Sequence, residues 1–249
     1  MNSSQLDSLT IEAIRNFPTP RLERLFDECV QNPAKIQGAR HALIAAQICL
    51  ARGSPHAAAF MGHAYFTGFG VKKDLKLARR WYSRAAKQGH SQALCWMGYA
   101  SEYGIGCARR SPATAFKFYL AAANKKNVTA MFNLAQCFHE GKGVESDPKL
   151  AVFWWRKAAD YSDANALCNL AVAYENALGT RRNRTKAFKL YQAAYDAGDR
   201  LAGWNLGRCY VEGIGVEQNI RVGRRLMMQF QSVASRAGSN SHRRLSGRE

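Results

Sequence analysis

The chain has 249 residues, 47% of them hydrophobic, and a formal net charge of +18 from 36 Lys and Arg against 18 Asp and Glu. So much apolar sequence can bury a large core, but no apolar stretch approaches the roughly 20 residues that a membrane-spanning helix needs. The first residues lack a basic start followed by an apolar run, so we expect neither a secretory signal nor a transmembrane segment.

Three helices are predicted ahead of the repeated part of the chain, at Leu6–Asn16, Arg21–Val30 and His41–Gly53. Pro18 and Pro20 separate the first helix from the second, because proline breaks a helix in its interior. We interpret residues 1–53 as an N-terminal helical cap and a partial repeat. The string LTIEAIRNFPTPRLERLF is also faintly similar to an F-box. The later, tryptophan-containing part of an F-box is missing, which favours the cap.

From residue 54 onwards the sequence contains five copies of one pattern: a Leu-Gly-like pair, an aromatic residue and a Gly-x-Gly turn. Equivalent positions lie 36 or 37 residues apart, at Met61, Met97, Leu134, Leu170 and Leu206. A constant period of this length predicts stacked helical hairpins, because a single hairpin cannot bury its apolar face without neighbours. We place the repeats at 54–89, 90–126, 127–162, 163–198 and 199–235. The polar, basic residues 236–249 are predicted to form a disordered tail.

Two series of capping residues recur with the same period and define two helices, A and B, in each repeat. Helix A is predicted to begin at Ser54, His90, Asn127, Asp163 and Asp199. Helix B is predicted to begin at Asp74, Ser111, Asp147, Asn183 and Asn219. Apart from the histidine, these side chains are good acceptors for the free N–H groups at a helix start, so each repeat is predicted to be a helical hairpin.

The turn between helices A and B carries Gly-x-Gly in four repeats, because glycine suits the left-handed conformation that ends a helix. Repeat four has Ala177 at the first position and keeps only Gly179, so its turn is a candidate for a different conformation. Repeat two has Ser101 in place of the aromatic residue. Repeat five has Gly223 where alanine is usual, and we interpret it as a terminal cap. A nucleotide-binding glycine loop is not favoured, because such a loop follows a strand and not a helix.

Repeat one carries the fullest version of the pattern, with Gly62, Tyr65, Gly68, Gly70, Val71, Asp74, Ala78, Trp81, Tyr82, Ala85, Ala86 and Gly89. This pattern resembles the Sel1-like repeat, and the resemblance extends over about Ser54–Ala234. The resemblance implies an all-α fold, a right-handed α/α solenoid of about five helical hairpins with N-terminal capping helices. It also implies a relation to tetratricopeptide arrays, which serve mainly as adaptors and scaffolds.

Helix A presents one stripe of variable residues around its Leu-Gly pair, since spacings of three and four residues stay on one helix face. By analogy with tetratricopeptide arrays, this stripe is predicted to line a concave groove that binds a peptide. The predicted groove residues are His63, Phe66, Tyr99, Phe132, Gln136, His139, Glu175, Trp204 and Arg208. Ala59, Cys95 and Cys168 belong to the same stripe, but we interpret them as packing residues.

Basic residues cluster at the inter-helix turns and the starts of the B helices, where the helix dipole does not favour cations. We call this set the basic ridge: Lys72, Lys73, Lys76, Arg109, Arg110, Arg181, Arg182, Arg184, Lys186, Arg221, Arg224 and Arg225. Stacked repeats would align these turns along one edge and attract an acidic protein segment, nucleic acid or an anionic membrane. Nucleic acid is the less favoured partner, because no recognition motif accompanies the charge.

The sequence contains no arrangement of residues that supports catalysis, since Cys-x-x-Cys, His-Glu-x-x-His and Gly-x-Ser-x-Gly are all missing. We therefore expect a protein that is not an enzyme and that needs no metal and no cofactor. The seven cysteines show no pairing within repeats and are interpreted as packing residues in a reducing compartment, the cytoplasm or the nucleus.

The predicted function is an adaptor or scaffold that binds a protein or peptide segment in the groove. The alternative is binding of nucleic acid or an anionic membrane surface through the basic ridge. Salt separates the two, because contacts between a protein and a highly charged polymer weaken sharply as salt rises.

Overall fold

The computed structural model of the protein describes residues 16–31, 36–106 and 109–230. The helices are α1 (Thr19–Gln31), α2 (Ile36–Ala51), α3 (Pro55–Thr67), α4 (Leu75–Lys87), α5 (Ser91–Tyr103), α6 (Pro112–Asn124), α7 (Val128–Glu140), α8 (Pro148–Ala159), α9 (Ala164–Asn176), α10 (Arg184–Asp196) and α11 (Arg200–Glu212). Residues 220–230 are also helical and form α12. Within these described residues there is no strand, so the predicted all-α fold is confirmed.

The five predicted hairpins correspond to consecutive pairs of these helices. Helix A of the repeats is α3, α5, α7, α9 and α11, and helix B is α4, α6, α8, α10 and α12. None of the helices in the described ranges is both long and apolar enough to cross a membrane. The predicted helix at 6–16 and tail at 236–249 lie outside the described residues, apart from Asn16.

The chain divides into two compact units, residues 1–130 and 131–249. In the first unit, α1 and α2 precede the hairpins and contribute Leu22, Phe26 and Cys49 to a buried cluster that also includes Phe60 of α3. Helix α1 already begins at Thr19, so Pro20 does not separate it from the preceding chain. Proline is tolerated there because the first N–H groups of a helix have no partner within the helix. Helix α2 also begins earlier than the predicted residue 41.

The predicted helix caps are confirmed by hydrogen bonds. The side chains that accept a backbone N–H two or three residues onward are those of Ser54, Asp74, His90, Ser111, Asn127, Asp147, Asp163, Asn183 and Asn219. The histidine performs this role with its ring Nδ1, which accepts the N–H of Ala93 at 3.3 Å. Asp199 immediately precedes α11, as predicted.

One backbone hydrogen bond closes every hairpin. The N–H of the helix-B cap donates to the carbonyl of the residue at the aromatic position of helix A, at 2.8–2.9 Å in all five repeats. In repeat two the bond runs from Ser111 to Ser101, although the turn is one residue longer there. The buried Ser101 hydroxyl donates to the carbonyl of Met97 at 2.8 Å, so the small side chain that replaces the aromatic residue is satisfied within its own helix.

The two glycines of each turn have different physical roles. At the second position, a Cβ would lie 2.4 Å from Leu75 O if added to Gly106, and 2.1 Å from Pro148 O if added to Gly179. The turn of one repeat therefore lies directly on the first residue of the preceding helix B, and only glycine fits there. At the first position, a Cβ on Gly213 would have its nearest neighbour at 3.7 Å, which is ordinary contact.

The turn of repeat four adopts the same conformation as the others. Ala177 ends α9 with φ 60, close to the left-handed φ of 75 at Gly104. The expectation that this turn would differ is therefore wrong. The first position has room for a methyl group, so the alanine costs only backbone strain, whereas Gly179 at the second position is sterically required.

Replacing Ala177 with glycine is expected to raise the free energy of unfolding by about 1 kcal/mol, because a non-glycine residue pays that much to be left-handed. Urea denaturation followed by circular dichroism measures this change. Ala197 is the matched control: it too is an exposed alanine at the end of a helix in the same unit, here the B helix α10, but its φ is −78. Glycine at 197 should be neutral or slightly destabilising. Equal effects of the two substitutions would contradict the strain at Ala177.

The departure of repeat five from the pattern has a packing reason. A Cβ on Gly223 would lie 2.5 Å from the carbonyl oxygen of Gly207, and a Cβ on Gly207 would lie 2.7 Å from Cγ of Met227. Helices α11 and α12 thus approach each other more closely than alanine would permit. Glycine at position 223 is needed for this close contact, and α12 still packs against α11.

Candidate functional site

In the first unit, the predicted groove residues His63, Phe66 and Tyr99 lie on the A helices with different degrees of exposure. His63 is half-buried, and this burial lowers the pKa of its imidazole. Phe66 is half-buried and packs edge-on against Trp96, with ring centroids 5.7 Å apart. The Tyr99 side chain is 42% exposed and contacts the equally solvent-facing Tyr103 at a centroid distance of 4.7 Å.

Tyr103 was not among the predicted groove residues. Its ring forms an exposed aromatic pair with Tyr99 because the two residues are four apart on α5 and share a face. That spacing is the signal by which the sequence could have identified it. Ala59, Cys95 and Cys168 are buried, in agreement with their interpretation as packing residues.

In the second unit, the predicted groove residues Phe132 and Trp204 are half-buried, and His139 is exposed with its ring 5.2 Å from the ring of Trp155. Gln136 accepts a hydrogen bond from Nδ2 of Asn169 at 3.1 Å. This bond joins two consecutive A helices, α7 and α9. Polar residues of the stripe therefore connect neighbouring repeats, while the aromatic residues keep part of their surface accessible.

Glu175 and Arg208 of the predicted groove are brought together as an ion pair. Arg208 Nη2 donates to Glu175 Oε2 at 2.7 Å, and the hydroxyl of Tyr191 donates to the same oxygen at 2.9 Å. The Glu175 side chain is only 11% exposed and that of Arg208 23%. Arg208 also lies 3.5 Å from Glu212. These two groove residues consequently stabilise the contact between α9 and α11, and their charges already neutralise each other.

The residues of the basic ridge are all exposed in the described chain. None of them forms an ion pair with a described carboxylate; Lys186 donates instead to the hydroxyl of Tyr174 at 2.9 Å, and Arg110 donates to the carbonyl of Glu102 at 3.1 Å. In each unit, the contact between a turn and the preceding helix B brings two stretches of the ridge close in space: Gly106 lies against Leu75, and Gly215 against Arg184. The ridge residues thus remain available to an anionic partner.

A family model for the Sel1 repeat matches the chain five times, at residues 55–90, 91–127, 128–160, 164–199 and 202–227. The chain belongs to the Sel1 repeat family. Two solved structures share the fold of this Sel1 repeat protein. A protective antigen of uropathogenic Escherichia coli with an SLR fold is 26% identical, with a TM-score of 0.73 over 85% of this chain and 46% of that chain. A Sel1 repeat protein from Oxalobacter formigenes is 25% identical, with a TM-score of 0.71 over 83% of each chain.

A similarity of sequence to a plant protein is restricted to a short segment. The ERAD-associated E3 ubiquitin-protein ligase component HRD3A of Arabidopsis thaliana is 38% identical over 55 residues. These residues are 22% of this chain and 8% of the plant protein. The chain therefore matches only a small fraction of that relative, and the matched segment is as long as one to two Sel1 repeats.

The first unit of this Sel1 repeat protein contains a directed chain of hydrogen bonds between histidines. Because Nδ1 of His90 accepts the Ala93 N–H, the proton of a neutral His90 lies on Nε2. That Nε2–H donates to Nδ1 of His56 at 3.1 Å, and His56 Nε2–H then donates to the carboxylate of Asp27 at 3.0 Å. The cap of α5 therefore fixes the tautomers of both rings and links α5 to α3 and α1.

This histidine chain is expected to make the first unit sensitive to acid. Burial, assisted by the neighbouring His56, lowers the pKa of His90 below its ordinary value of 6.5, while Asp27 and Glu23 oppose the shift. The unfolded chain therefore binds the proton more readily than the folded chain does. The contribution of neutral His90 to stability is fully present above about pH 6.5 and is lost as the pH falls below that value. Protonation of Nδ1 would also remove the acceptor of the Ala93 N–H.

Thermal denaturation above and below pH 6.5 measures this effect, with His90→Asn as the control. Asparagine is a good N-cap but does not titrate, so the variant should keep most of its stability at neutral pH and lose less of it on acidification than the parent chain. If the two proteins lose stability equally between these pH values, His90 is not the group that titrates.

Five cysteines of this Sel1 repeat protein are buried thiols without a disulfide: Cys49, Cys95, Cys137, Cys168 and Cys209. Burial raises the pKa of Cys95 to about 11, which keeps the thiol protonated at neutral pH. Among the residues that the structure describes, no three His, Cys, Asp or Glu side chains are grouped where they could hold a metal ion.

The exposed face of α4 carries a strongly basic cavity. Of the residues that line it, only Lys76 was predicted from the sequence as a binding residue. The cavity has a volume of about 620 Å³, and its lining includes all five basic residues of α4: Lys76, Arg79, Arg80, Arg84 and Lys87. Ser83, Gln88 and Gly106 complete the lining. The spacing of the five cations along one helix is the sequence signal that could have identified this face.

Proposed function

We propose that this chain is a non-enzymatic adaptor that binds a protein segment on the exposed face of its A helices. Sel1 repeat proteins generally mediate protein–protein interactions, and five such repeats occupy most of this chain. The observation that carries the proposal for this particular chain is the exposed aromatic pair of Tyr99 and Tyr103 on α5. The first residue of the Leu-Gly pair is buried in every repeat, whereas this tyrosine pair faces solvent.

The chemistry of this face suits a peptide partner. Tyrosine is enriched at the centres of protein interfaces because its ring offers apolar area and its hydroxyl a hydrogen bond, at a small cost in side-chain entropy. Polar groups such as Glu102 lie on the same helix; its carboxylate accepts the hydroxyl of the buried Tyr119 at 2.8 Å and so holds its own position. A net charge of +18 favours an acidic segment, because opposite charge accelerates association.

The test is the replacement of Tyr99 by alanine, with Tyr161→Ala as the matched control. Tyr161 is a similarly exposed tyrosine, but it lies in the turn between α8 and α9 and not on an A helix. Proteins captured by the tagged parent and by each variant are quantified by mass spectrometry, and circular dichroism checks the fold. We expect at least one captured protein to fall about tenfold with Tyr99→Ala, the effect of losing about 1.4 kcal/mol, and to stay unchanged with Tyr161→Ala.

The second unit offers an independent test of the same proposal. Trp204 is half-buried on α11, and truncation to alanine should weaken capture of a protein that binds the A helices of the second unit. A capture profile that is identical for the parent, Tyr99→Ala and Trp204→Ala would refute the proposed face. Loss of every interaction with Tyr161→Ala as well would show that capture does not depend on the A helices.

Salt distinguishes this proposal from binding through the basic ridge. Contacts made by aromatic side chains should survive moderate salt, whereas ridge contacts to nucleic acid or an anionic membrane should fall steeply. Arg181→Gln with Arg182→Gln removes two exposed ridge charges without touching the A helices. If this variant loses the partner and Tyr99→Ala keeps it, the ridge and not the A-helix face is the binding surface.

We further propose that the protein works in a reducing compartment, the cytoplasm or the nucleus. Cys49, Cys95, Cys137, Cys168 and Cys209 support this, because all five are buried thiols that form no disulfide. Fluorescence microscopy of the tagged chain tests the proposal, and accumulation in a secretory compartment would contradict it.

A further inference from the structure

The basic face of α4 has a charge that the fold itself does not explain. Helix α4 has the sequence LKLARRWYSRAAK, with five cations and no acid, while the equivalent helix α6 (PATAFKFYLAAAN) has one cation. Both helices pack through a buried tyrosine and small alanines, so a helix B can be stable without these charges. The composition of α4 therefore serves something other than packing.

The five cations lie on one face of the helix, at spacings of three, four and seven to eight residues. They extend over about 16 Å, given a rise of about 1.5 Å per residue. Charges of equal sign four residues apart, such as Lys76 with Arg80 and Arg80 with Arg84, repel each other in an isolated helix. The helix dipole favours cations in the last turn, which accounts for Arg84 and Lys87 but not for Lys76 at the opposite end.

The carboxylate of Asp74 caps the start of α4, but it forms no ion pair with these cations in the described structure. None of the five side chains forms an ion pair with a described residue; Arg84 instead lies 5.7 Å from the centroid of the Trp81 ring. Arg79 is the most enclosed of the five. The turn at Gly106 lies against its side-chain stem, and its Nε is buried without a hydrogen-bond partner in the described structure. A buried donor without an acceptor is costly, and Arg79 is the cavity residue that carries such a donor.

A sixth cation, Lys125, lies near the C-terminal end of α4. The amine of Lys125, which follows α6, lies 3.1 Å from the position that a Cβ on Gly89 would occupy. Gly89 directly follows Gln88, which lines the cavity. The cavity is therefore lined by cations along its length, and Lys125 adds a further positive charge near Gly89 within the same compact unit.

We propose that this face binds a compact polyphosphate, meaning a small molecule or a lipid headgroup that carries several phosphate groups. A cavity of about 620 Å³ is in the range of small-ligand sites. Arginines recognise phosphate oxygens through pairs of parallel N–H donors, and lysines add point charges. The described residues of the lining include no aromatic side chain on which a base could stack, which favours a phosphate cluster over a nucleic acid strand. This site is separate from the A-helix face and stands independently of the adaptor proposal.

Isothermal titration calorimetry with inositol hexakisphosphate tests the site in the full chain. The variant is Arg80→Gln with Arg84→Gln, and the matched control is Arg181→Gln with Arg182→Gln, which removes the same charge from exposed arginines elsewhere. We expect the affinity to fall at least about tenfold in the α4 variant and less than about twofold in the control. Equal losses in both variants, or no measurable binding by the parent chain, would overturn the proposal.

A second pair of substitutions keeps the test valid if the first variant folds poorly. Lys76→Gln with Lys87→Gln removes two exposed cations from opposite ends of the same cavity. Circular dichroism reports the fold of each variant. A folded variant of this pair that binds inositol hexakisphosphate as well as the parent does would contradict the site.

Vesicles separate the two sources of the phosphate cluster. Flotation is measured with phosphatidylcholine vesicles that contain phosphatidylinositol bisphosphate, and with phosphatidylserine vesicles of equal surface charge. Binding to the first alone, displaced by inositol hexakisphosphate, supports a lipid headgroup; binding of free inositol hexakisphosphate without flotation supports a soluble ligand. If a single-stranded RNA binds more tightly than inositol hexakisphosphate, and does so through Arg80 and Arg84, the site is a nucleic acid site and the proposal is wrong.

Discussion

Replacing Gly179 with alanine is expected to lower the free energy of unfolding by about 3 kcal/mol, from left-handed backbone strain and local overpacking together. Gly179 has φ 64, and its Cβ would lie 2.1 Å from the carbonyl oxygen of Pro148. That oxygen belongs to the backbone at the start of α8, so it cannot move aside as a flexible side chain would. The turn of repeat four would have to lift away from the preceding helix B.

Urea denaturation followed by circular dichroism measures this loss, and Gly213→Ala is its control. Gly213 has a similar φ of 69, but a Cβ there would have its nearest neighbour at 3.7 Å. The control therefore carries the backbone strain alone, about 1 kcal/mol. The difference between the variants, about 2 kcal/mol, reports the steric overlap with Pro148. Equal destabilisation of the two variants would show that the turn does not press on the preceding helix.

Replacing Glu175 with glutamine is expected to destabilise the second unit by about 2 kcal/mol, because it removes the charged partner of a largely buried cation. Glutamine keeps the size of the side chain and one acceptor oxygen. That oxygen can still accept from both Arg208 and the hydroxyl of Tyr191, as Oε2 of Glu175 does at 2.7 and 2.9 Å, so the loss comes from the missing negative charge beside the Arg208 guanidinium. The contact between α9 and α11 should weaken accordingly.

The control for this substitution is Glu212→Gln, which removes the other carboxylate near Arg208. Glu212 is 52% exposed and lies 3.5 Å from the guanidinium, so its contribution should be less than about 0.5 kcal/mol. Thermal and urea denaturation of both variants at neutral pH provide the comparison. A larger effect of Glu212→Gln than of Glu175→Gln would mean that the exposed pair within α11 contributes more to stability than the buried pair between α9 and α11.

The local parts of the fold could be predicted because the interactions that form them connect residues close in sequence. Asp74 accepts the N–H groups of Lys76 and Leu77, and these three residues lie within one helical turn. The same is true of the turn glycines, whose left-handed φ depends on their own backbone. The family pattern, the helix bounds and the caps were therefore visible in the chain itself.

The roles of the candidate site residues could not be predicted in the same way, because their partners are about one repeat distant in sequence. Glu175 and Arg208 were predicted as separate groove residues, yet they pair with each other across 33 positions. His90 was predicted only to begin a helix, and its link to His56 over 34 positions depends on how α3 and α5 pack. A periodic pattern shows which residues share a face, but not which of them satisfy one another.

By itself, the sequence determined that this chain is a series of five helical hairpins of the Sel1 repeat family with a large excess of positive charge. The spacing of the cations in α4 could also have placed them on one helix face, but only Lys76 was predicted as a binding residue. Only the tertiary structure decided that the turn at Gly106 lies on the first residue of α4 and covers the stem of Arg79. The reason is steric: the second glycine of a turn permits one backbone segment to approach another closely. At Gly106 this approach places the turn beside the cations of α4, so that together they line a cavity.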